Sequence, residues 1–198
     1  MLYLRKTVCG FMTKLNQNKK PVIFLDRDGV LNEDKGYTHK TSDLTLLGTV
    51  SKTLKTLQNM GYLLIVLTNQ SGVARGLYSL TDVEAFNTAL ASAIERESGA
   101  VIDAFYISPY HPSGIVPAYS IAHEDRKPGI GLIKKAAVDF AIDLQRSYLI
   151  GDKESDITCA INAGIPGIQV VSRETKHHPQ AVATISKLEE ALQYITCS

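Results

Sequence analysis

Five short apolar runs recur along this chain: VIFL (22–25), LLIVL (63–67), AFYIS (104–108), SYLI (147–150) and GIQVV (167–171). They are β-branched or aromatic-rich and nearly unbroken, whereas a strand wetted on one face alternates apolar and polar residues. Unbroken runs therefore predict strands covered on both sides. Between them the apolar residues fall at helical spacing. Val50, Leu54 and Leu57 precede a stop at Gly61, and Val83, Phe86, Leu90 and Ile94 form one stripe behind a possible Thr81/Glu84 capping box. Residues 130–142 and 154–163 also read as helices, the second ending at Gly164, and Ser186 with Glu189 caps a last one carrying Leu188, Leu192 and Ile195. Strands of this kind alternating with helices predict an α/β fold, a doubly wound parallel sheet with helices on both faces.

The length, 198 residues, suits a single domain, expected over 21–198 after a leader over 1–20 that is frayed or partly docked, with Met12 as an alternative start. The formal net charge is +1, and basic residues cluster only in pairs such as Lys19-Lys20 and Lys134-Lys135, which argues against a nucleic-acid partner. No apolar run reaches the roughly 18 residues of a membrane span. The patch TVCGFM after Arg5 and Lys6 is too short and broken for a secretory signal. Cys9, Cys159 and Cys197 are far apart and form no C-x-x-C pair, so neither a disulfide framework nor a thiolate metal site is indicated. These features point to a soluble, cytoplasmic monomer.

In a doubly wound sheet, ligands bind beyond the carboxyl ends of the strands. Directly after the first run come Asp26 and Asp28; after the second, Thr68, Asn69, Gln70 and Ser71; after the fourth, Asp152, Lys153 and Asp156. Arg126 and Lys127 stand just before a predicted helix start. Asp26, Asp28 and Asp152 supply the oxygen ligands that Mg²⁺ prefers, and a shared cation explains how two acids can flank one strand tip. The Thr68 hydroxyl and the Asn69 N–H can donate to a phosphoryl oxygen, to which Lys127 adds positive charge. Such a set suits phosphoryl transfer, where catalysis rests on positioning and charge neutralisation.

The segments FLDRDGV, TNQS, RKP and GDKESD resemble, in order, the four motifs of the haloacid dehalogenase superfamily of aspartate-nucleophile phosphatases, over residues 21 to 172. DKGYTHK (34–40) and TNQSGVARG (68–76) are similar to the heptose-bisphosphate phosphatase branch, which has little or no cap domain, and the short spacing between the first two motifs leaves no room for one. The resemblance implies that Asp26 attacks phosphorus and that Asp28 is the general acid and base. Asp26, the backbone carbonyl of Asp28 and Asp152 would hold Mg²⁺. Thr68, Arg126 and Lys127 would stabilise the phosphoryl group. Asp34, Lys35, Gly36, Tyr37, Asn69, Gln70, Ser71, Arg126, Lys127 and Lys153 would bind the substrate, a small phosphorylated sugar. The reaction implied is removal of the 7-phosphate of a heptose 1,7-bisphosphate, in carbohydrate metabolism that supplies heptose for a bacterial lipopolysaccharide. A histidinol-phosphate or broader small-molecule phosphatase is the alternative enzyme. A phosphosugar-binding protein without turnover is the alternative of another class.

Many relatives hold the loop before RKP with zinc, through a C-x-H and a C-x-C pair. Here Ser108 and Tyr110 stand in the first pair, and His123 and Asp125 in the second. With no thiolate left, a tetrahedral zinc site is not expected, and binding of metal by His111, His123 and Asp125 stays a minor alternative to a loop held by Pro109, Pro112 and Pro117. Bland readings stand beside the sharp ones. Asp156 and Arg173 read as structural, Lys153 as a possible solvated charge, and Tyr37 as possible packing. Arg75 reads equally as a phosphate contact or an ion-pair partner, and His39, His177 and His178 as surface residues.

Overall fold

The computed structural model describes residues 19–172 and 176–195. The leader expected over 1–20, apart from Lys19 and Lys20, lies outside the described residues, as do Cys9, Arg173 and Cys197. The Lys20 N–H donates to Ala141 O at 2.9 Å, so the chain is already anchored there, just ahead of Val22.

Six parallel strands form one sheet: β1 (Val22–Leu25), β2 (Leu63–Asn69), β3 (Ala104–Ser108), β4 (Tyr148–Gly151), β5 (Gly167–Val170) and β6 (Ala183–Ile185), in the order β3-β2-β1-β4-β5-β6. All five strands expected from the sequence are present. The sixth, Ala-Thr-Ile, is too short for its burial pattern to be read as a period. Successive side chains of β1 point to opposite faces. Ile23 and Leu25 pack with α1 (Val50–Asn59) and α2 (Leu80–Ser98), whereas Val22 and Phe24 pack with α3 (Gly131–Asp139) and α4 (Glu154–Ala163). Every residue of β1 is fully buried, which is why the strand has no polar alternation.

Three boundaries differ from expectation. The capping box of α2 is Ser79 with Asp82 rather than Thr81 with Glu84: Ser79 has the extended backbone of an N-cap, and its Oγ accepts from the Asp82 N–H. Helix α3 stops at Asp139, because the chain turns extended at Phe140 and pairs Ile142 with Lys20. The last helix is a 3₁₀ turn, Leu188–Gln193, with Ser186 bonded to Glu190 instead of Glu189. Leu188 and Ile195 are buried, while Leu192 is half-buried against the core. No helix among the described residues is long and apolar enough to cross a membrane. The reversal of strand order lies between β1 and β4, which opens a crevice at their carboxyl ends.

Candidate active site

That crevice is where the acids meet. Asp26 leaves the tip of β1 and Asp152 follows β4. Each, together with Asp156 from the first turn of α4, offers a carboxylate oxygen within 4.8 Å of the other two. Two glycines make the approach possible. A Cβ on Gly29, whose φ is +84°, would lie 2.6 Å from Asp152 Oδ2, and one on Gly151 would lie 2.2 Å from Asp156 Cβ.

Lys127 is buried in this cluster. Its Nζ is 2.8 Å from Asp26 Oδ1 and 2.7 Å from Asp156 Oδ1, and it donates to Leu67 O at 2.6 Å. Burial disfavours the Lys127 charge, but Asp156 and Asp26 outweigh it and hold the ammonium above its ordinary pKa. Burial pushes the Asp26 carboxyl up, and the charges of Lys127 and Lys153 more than cancel this, leaving it lowered. Asp152 is pushed up to about 7, by burial and then by the Asp26 charge. Its Oδ1 is buried without a hydrogen-bond partner, and its nearest cation, Lys153 Nζ, is 3.9 Å away. Three carboxylates outnumber two lysines here, and an orphaned buried carboxylate oxygen faces the group. That donor set fits a hard divalent cation with oxygen ligands.

The carboxylate that completes the cluster is thus Asp156, which sequence reasoning had assigned a structural role. Its Oδ2 also accepts from the Lys153 N–H at 3.0 Å, a structural contact of the kind expected of it. The Asp28 carboxylate, by contrast, is turned away from the cluster. It accepts from Arg27 Nε at 3.1 Å and Nη2 at 2.8 Å, from Asn32 Nδ2 at 2.9 Å and from Gln70 Nε2 at 2.9 Å. Arg27 is fully buried, with its guanidinium 4.4 Å from the centroid of the Phe86 ring, and it donates further to Asn87 Oδ1 and Thr38 O. Sequence reasoning had passed over it.

The expected phosphate and substrate residues do not all meet in one place. The Thr68 hydroxyl is buried and accepts from Gln70 Nε2 at 2.8 Å, and Gln70 Oε1 accepts from Tyr78 at 2.7 Å. Asn69 spends both ends of its amide on the Lys127 backbone, at 3.0 and 3.1 Å. These amides hold the site together, with Asn69 clamping the RKP turn to β2. A hollow of about 220 Å³ is lined by Asp28, Asp34, Gly36, Tyr37, Asn69, Gln70, Ser71, Tyr78 and Lys153. Lys153 Nζ reaches Asp34 Oδ2 at 3.3 Å. Tyr37 is 47% exposed with φ +54°, so it is no packing residue, and His39 is half-buried against Tyr78 with ring centroids 4.5 Å apart. Lys35 lies outside that hollow, on a larger one beyond Gly29 that Asp34 and Asp152 also line. Arg126 is turned toward the loop after β3, where Nη1 donates to Tyr110 O at 3.3 Å.

In that loop, Tyr110 stacks on His123 at 3.9 Å, and Asp125 pairs with Lys135. Among the described residues, His111, His123 and Asp125 do not gather as a metal-binding group. The Lys135 ammonium, on a helix that packs beneath, meets the negative charge of Asp125.

Comparison with known proteins gives the chain's relatives. The HAD-hydrolase-like family model matches residues 125–191. The chain is 40% identical over 146 residues to D-glycero-beta-D-manno-heptose-1,7-bisphosphate 7-phosphatase of Haemophilus ducreyi, covering 74% of this chain and 80% of that protein. It is 38% identical over 152 residues to the D-glycero-alpha-D-manno-heptose-1,7-bisphosphate 7-phosphatase of Photorhabdus laumondii, covering 77% and 82%. Among solved structures, the D,D-heptose 1,7-bisphosphate phosphatase of B. bronchiseptica, complexed with magnesium and phosphate, superposes with a TM-score of 0.76 at 26% identity, over 88% of this chain and 99% of that one.

Proposed function

This chain belongs to the haloacid dehalogenase-like phosphatases, and we propose that it is a Mg²⁺-dependent sugar-bisphosphate phosphatase that removes the 7-phosphate of D-glycero-D-manno-heptose 1,7-bisphosphate. The observation that carries this reading is the three-carboxylate cluster at the β1/β4 switch point with buried Lys127 on Asp26. Relatives named for the alpha and the beta anomer are about equally similar, so the anomer is no part of the proposal. The enzyme is read as a monomer acting in the cytoplasm on a diffusible sugar.

Asp26 attacks phosphorus with a carboxylate oxygen. The bond from phosphorus to the C7 oxygen breaks, and that oxygen takes a proton from Asp28 in its protonated form. Water then attacks the phosphorus of the aspartyl-phosphate, loses its proton to Asp28, and releases phosphate from Asp26. Lys127 keeps Asp26 ionised and oriented and, with Thr68, supports the transferring group. A cation held by Asp26, Asp152 and Asp156, with the Asp28 carbonyl as the further ligand, would offset the negative charge that otherwise repels a phosphate dianion.

Release of inorganic phosphate from heptose 1,7-bisphosphate, histidinol phosphate and fructose 1,6-bisphosphate tests the substrate. The heptose is expected to lead in kcat/KM by at least about tenfold, since a polar site that loses its substrate partners discriminates strongly. A lead for histidinol phosphate would reassign it.

The metal site has a readout without turnover. Mg²⁺ at roughly a hundred times its Kd should stabilise the fold by about 2.7 kcal/mol, which for a chain of this size is a rise in Tm of roughly 5–10 °C. Asp152→Asn should remove most of that rise in differential scanning fluorimetry. An equal rise in the variant would place the cation elsewhere.

A further inference from the structure

The direction of one buried amide decides where two protons of the site can go. Gln70 donates through Nε2 to Asp28 Oδ2 at 2.9 Å and to Thr68 Oγ1 at 2.8 Å, which uses both of its amide hydrogens. A hydroxyl has a single hydrogen, so a Thr68 oxygen that accepts from Gln70 keeps its own hydrogen for a phosphoryl oxygen. The ionised Asp28 carboxylate favours this arrangement, because it attracts the NH2 end of the amide. Once Asp28 carries the proton it must deliver, that preference is gone. Turned over, the amide would set Oε1 against two O–H groups and accept from Asp28 and Thr68 together. Both protons would then be withdrawn from the substrate.

Tyr78, two residues before α2, is placed to oppose that turn. Its hydroxyl donates to Gln70 Oε1 at 2.7 Å, and a turned amide would lose this donor. Burial pushes the Tyr78 hydroxyl up to about 12, so it stays protonated at neutral pH. The ring is fixed from two other segments. It rests so close to the Gly72 backbone that a Cβ there would lie 2.2 Å from Tyr78 Cε1, and His39 stacks on it with ring centroids 4.5 Å apart. Tyr78 also lines the small hollow, beside Gln70 and Asp28. We propose that Tyr78 is a positioning residue for phosphoryl transfer: it locks the Gln70 amide so that the acid's proton and the Thr68 hydrogen both stay available to the substrate. This rests on the phosphatase reading above.

Tyr78→Phe removes one oxygen and keeps the ring. It should lower kcat for heptose 1,7-bisphosphate about 10- to 30-fold, the scale of a buried acceptor left without its donor, and leave KM within about threefold. Gln70→Met should lower kcat at least as much. Tyr78→Phe added to Gln70→Met should then cost no more than about twofold further, because the hydroxyl has no amide left to hold. An unchanged kcat in Tyr78→Phe, as expected of a ring that only packs, overturns the proposal. So does a loss that falls on KM alone, the mark of a hydroxyl that binds substrate directly, or two losses that multiply in the double variant. Should Gln70→Met not fold, the division between kcat and KM in Tyr78→Phe decides alone. If wild type cleaves p-nitrophenyl phosphate but no sugar phosphate, the substrate assignment falls, and the same variants on the aryl ester still decide the role of Tyr78. No phosphate release from any of these substrates removes both proposals.

Discussion

Replacing Asp26 by asparagine is expected to lower kcat on a sugar bisphosphate by about 10⁴-fold or more, while the protein still folds. The expectation follows from what asparagine keeps and loses. It is nearly isosteric, and its amide oxygen can still accept from Lys127, which in any case retains Asp156 at 2.7 Å and Leu67 O at 2.6 Å. Lys127 is therefore not left as an uncompensated buried charge, the defect that usually unfolds such variants. Removing one of three acids that crowd within 4.8 Å also relieves repulsion, so the Tm in the absence of Mg²⁺ should not fall by more than a few degrees. What disappears is the anionic oxygen that bonds to phosphorus. Borohydride added after a denaturing quench should reduce the acyl phosphate of the wild type to homoserine at position 26, seen by peptide mass, and leave the variant unmodified. Retention of a tenth of the wild-type rate would rule out covalent attack by this residue and favour direct attack by water.

The contrast between Asp26 and Asp156 shows which parts of this molecule were legible in the chain. Asp26 ends a strand whose four residues are all buried, and an acid at such a boundary is conspicuous in sequence. Asp156 lies in the first turn of a helix, where an acid is ordinary because it caps free N–H groups, and only the missing Cβ of Gly151 brings it against the cluster. Gln70 and Asn69 were expected to meet substrate. Both line the small hollow, but the sequence could not tell that Tyr78, Thr68 and the Lys127 backbone would also engage their amides. Arg27 was illegible for a different reason. An arginine between two acids normally reads as a solvated charge, but Phe86 and Asn87, the latter 60 residues further on, arrive on α2 to roof it over. Sheet and strand tips follow from local pattern; partners that come from other elements do not.

Arg27 yields the second large effect, because it governs the residue proposed to move protons. Its guanidinium holds Asp28 through two bonds, at 3.1 and 2.8 Å, and shares Nη2 with Thr38 O at 2.6 Å, just after the Asp34–Tyr37 segment. The acid is thereby fixed in direction and tied to the loop that lines the small hollow. A sugar alkoxide is a poor leaving group and needs a proton as its bond to phosphorus breaks. A nitrophenolate leaves without one. Asp28→Asn should therefore lower the first step about 10²- to 10⁴-fold on a sugar phosphate and little on p-nitrophenyl phosphate. With the aryl ester, release of phosphate from Asp26 still needs a base, so a burst of nitrophenolate near one equivalent of enzyme should precede a slow steady state. Arg27→Met leaves Asp28 in place without its bidentate partner and should reproduce this pattern at roughly a tenth of the severity or less. Arg27→Lys, which keeps the charge but cannot match both carboxylate oxygens, should fall between Arg27→Met and wild type. An Arg27 that only supported the fold would slow both substrates alike and leave no burst. Stopped-flow traces on the two substrates, taken below the Tm of each variant, separate an arginine that aims the proton from one that merely fills space.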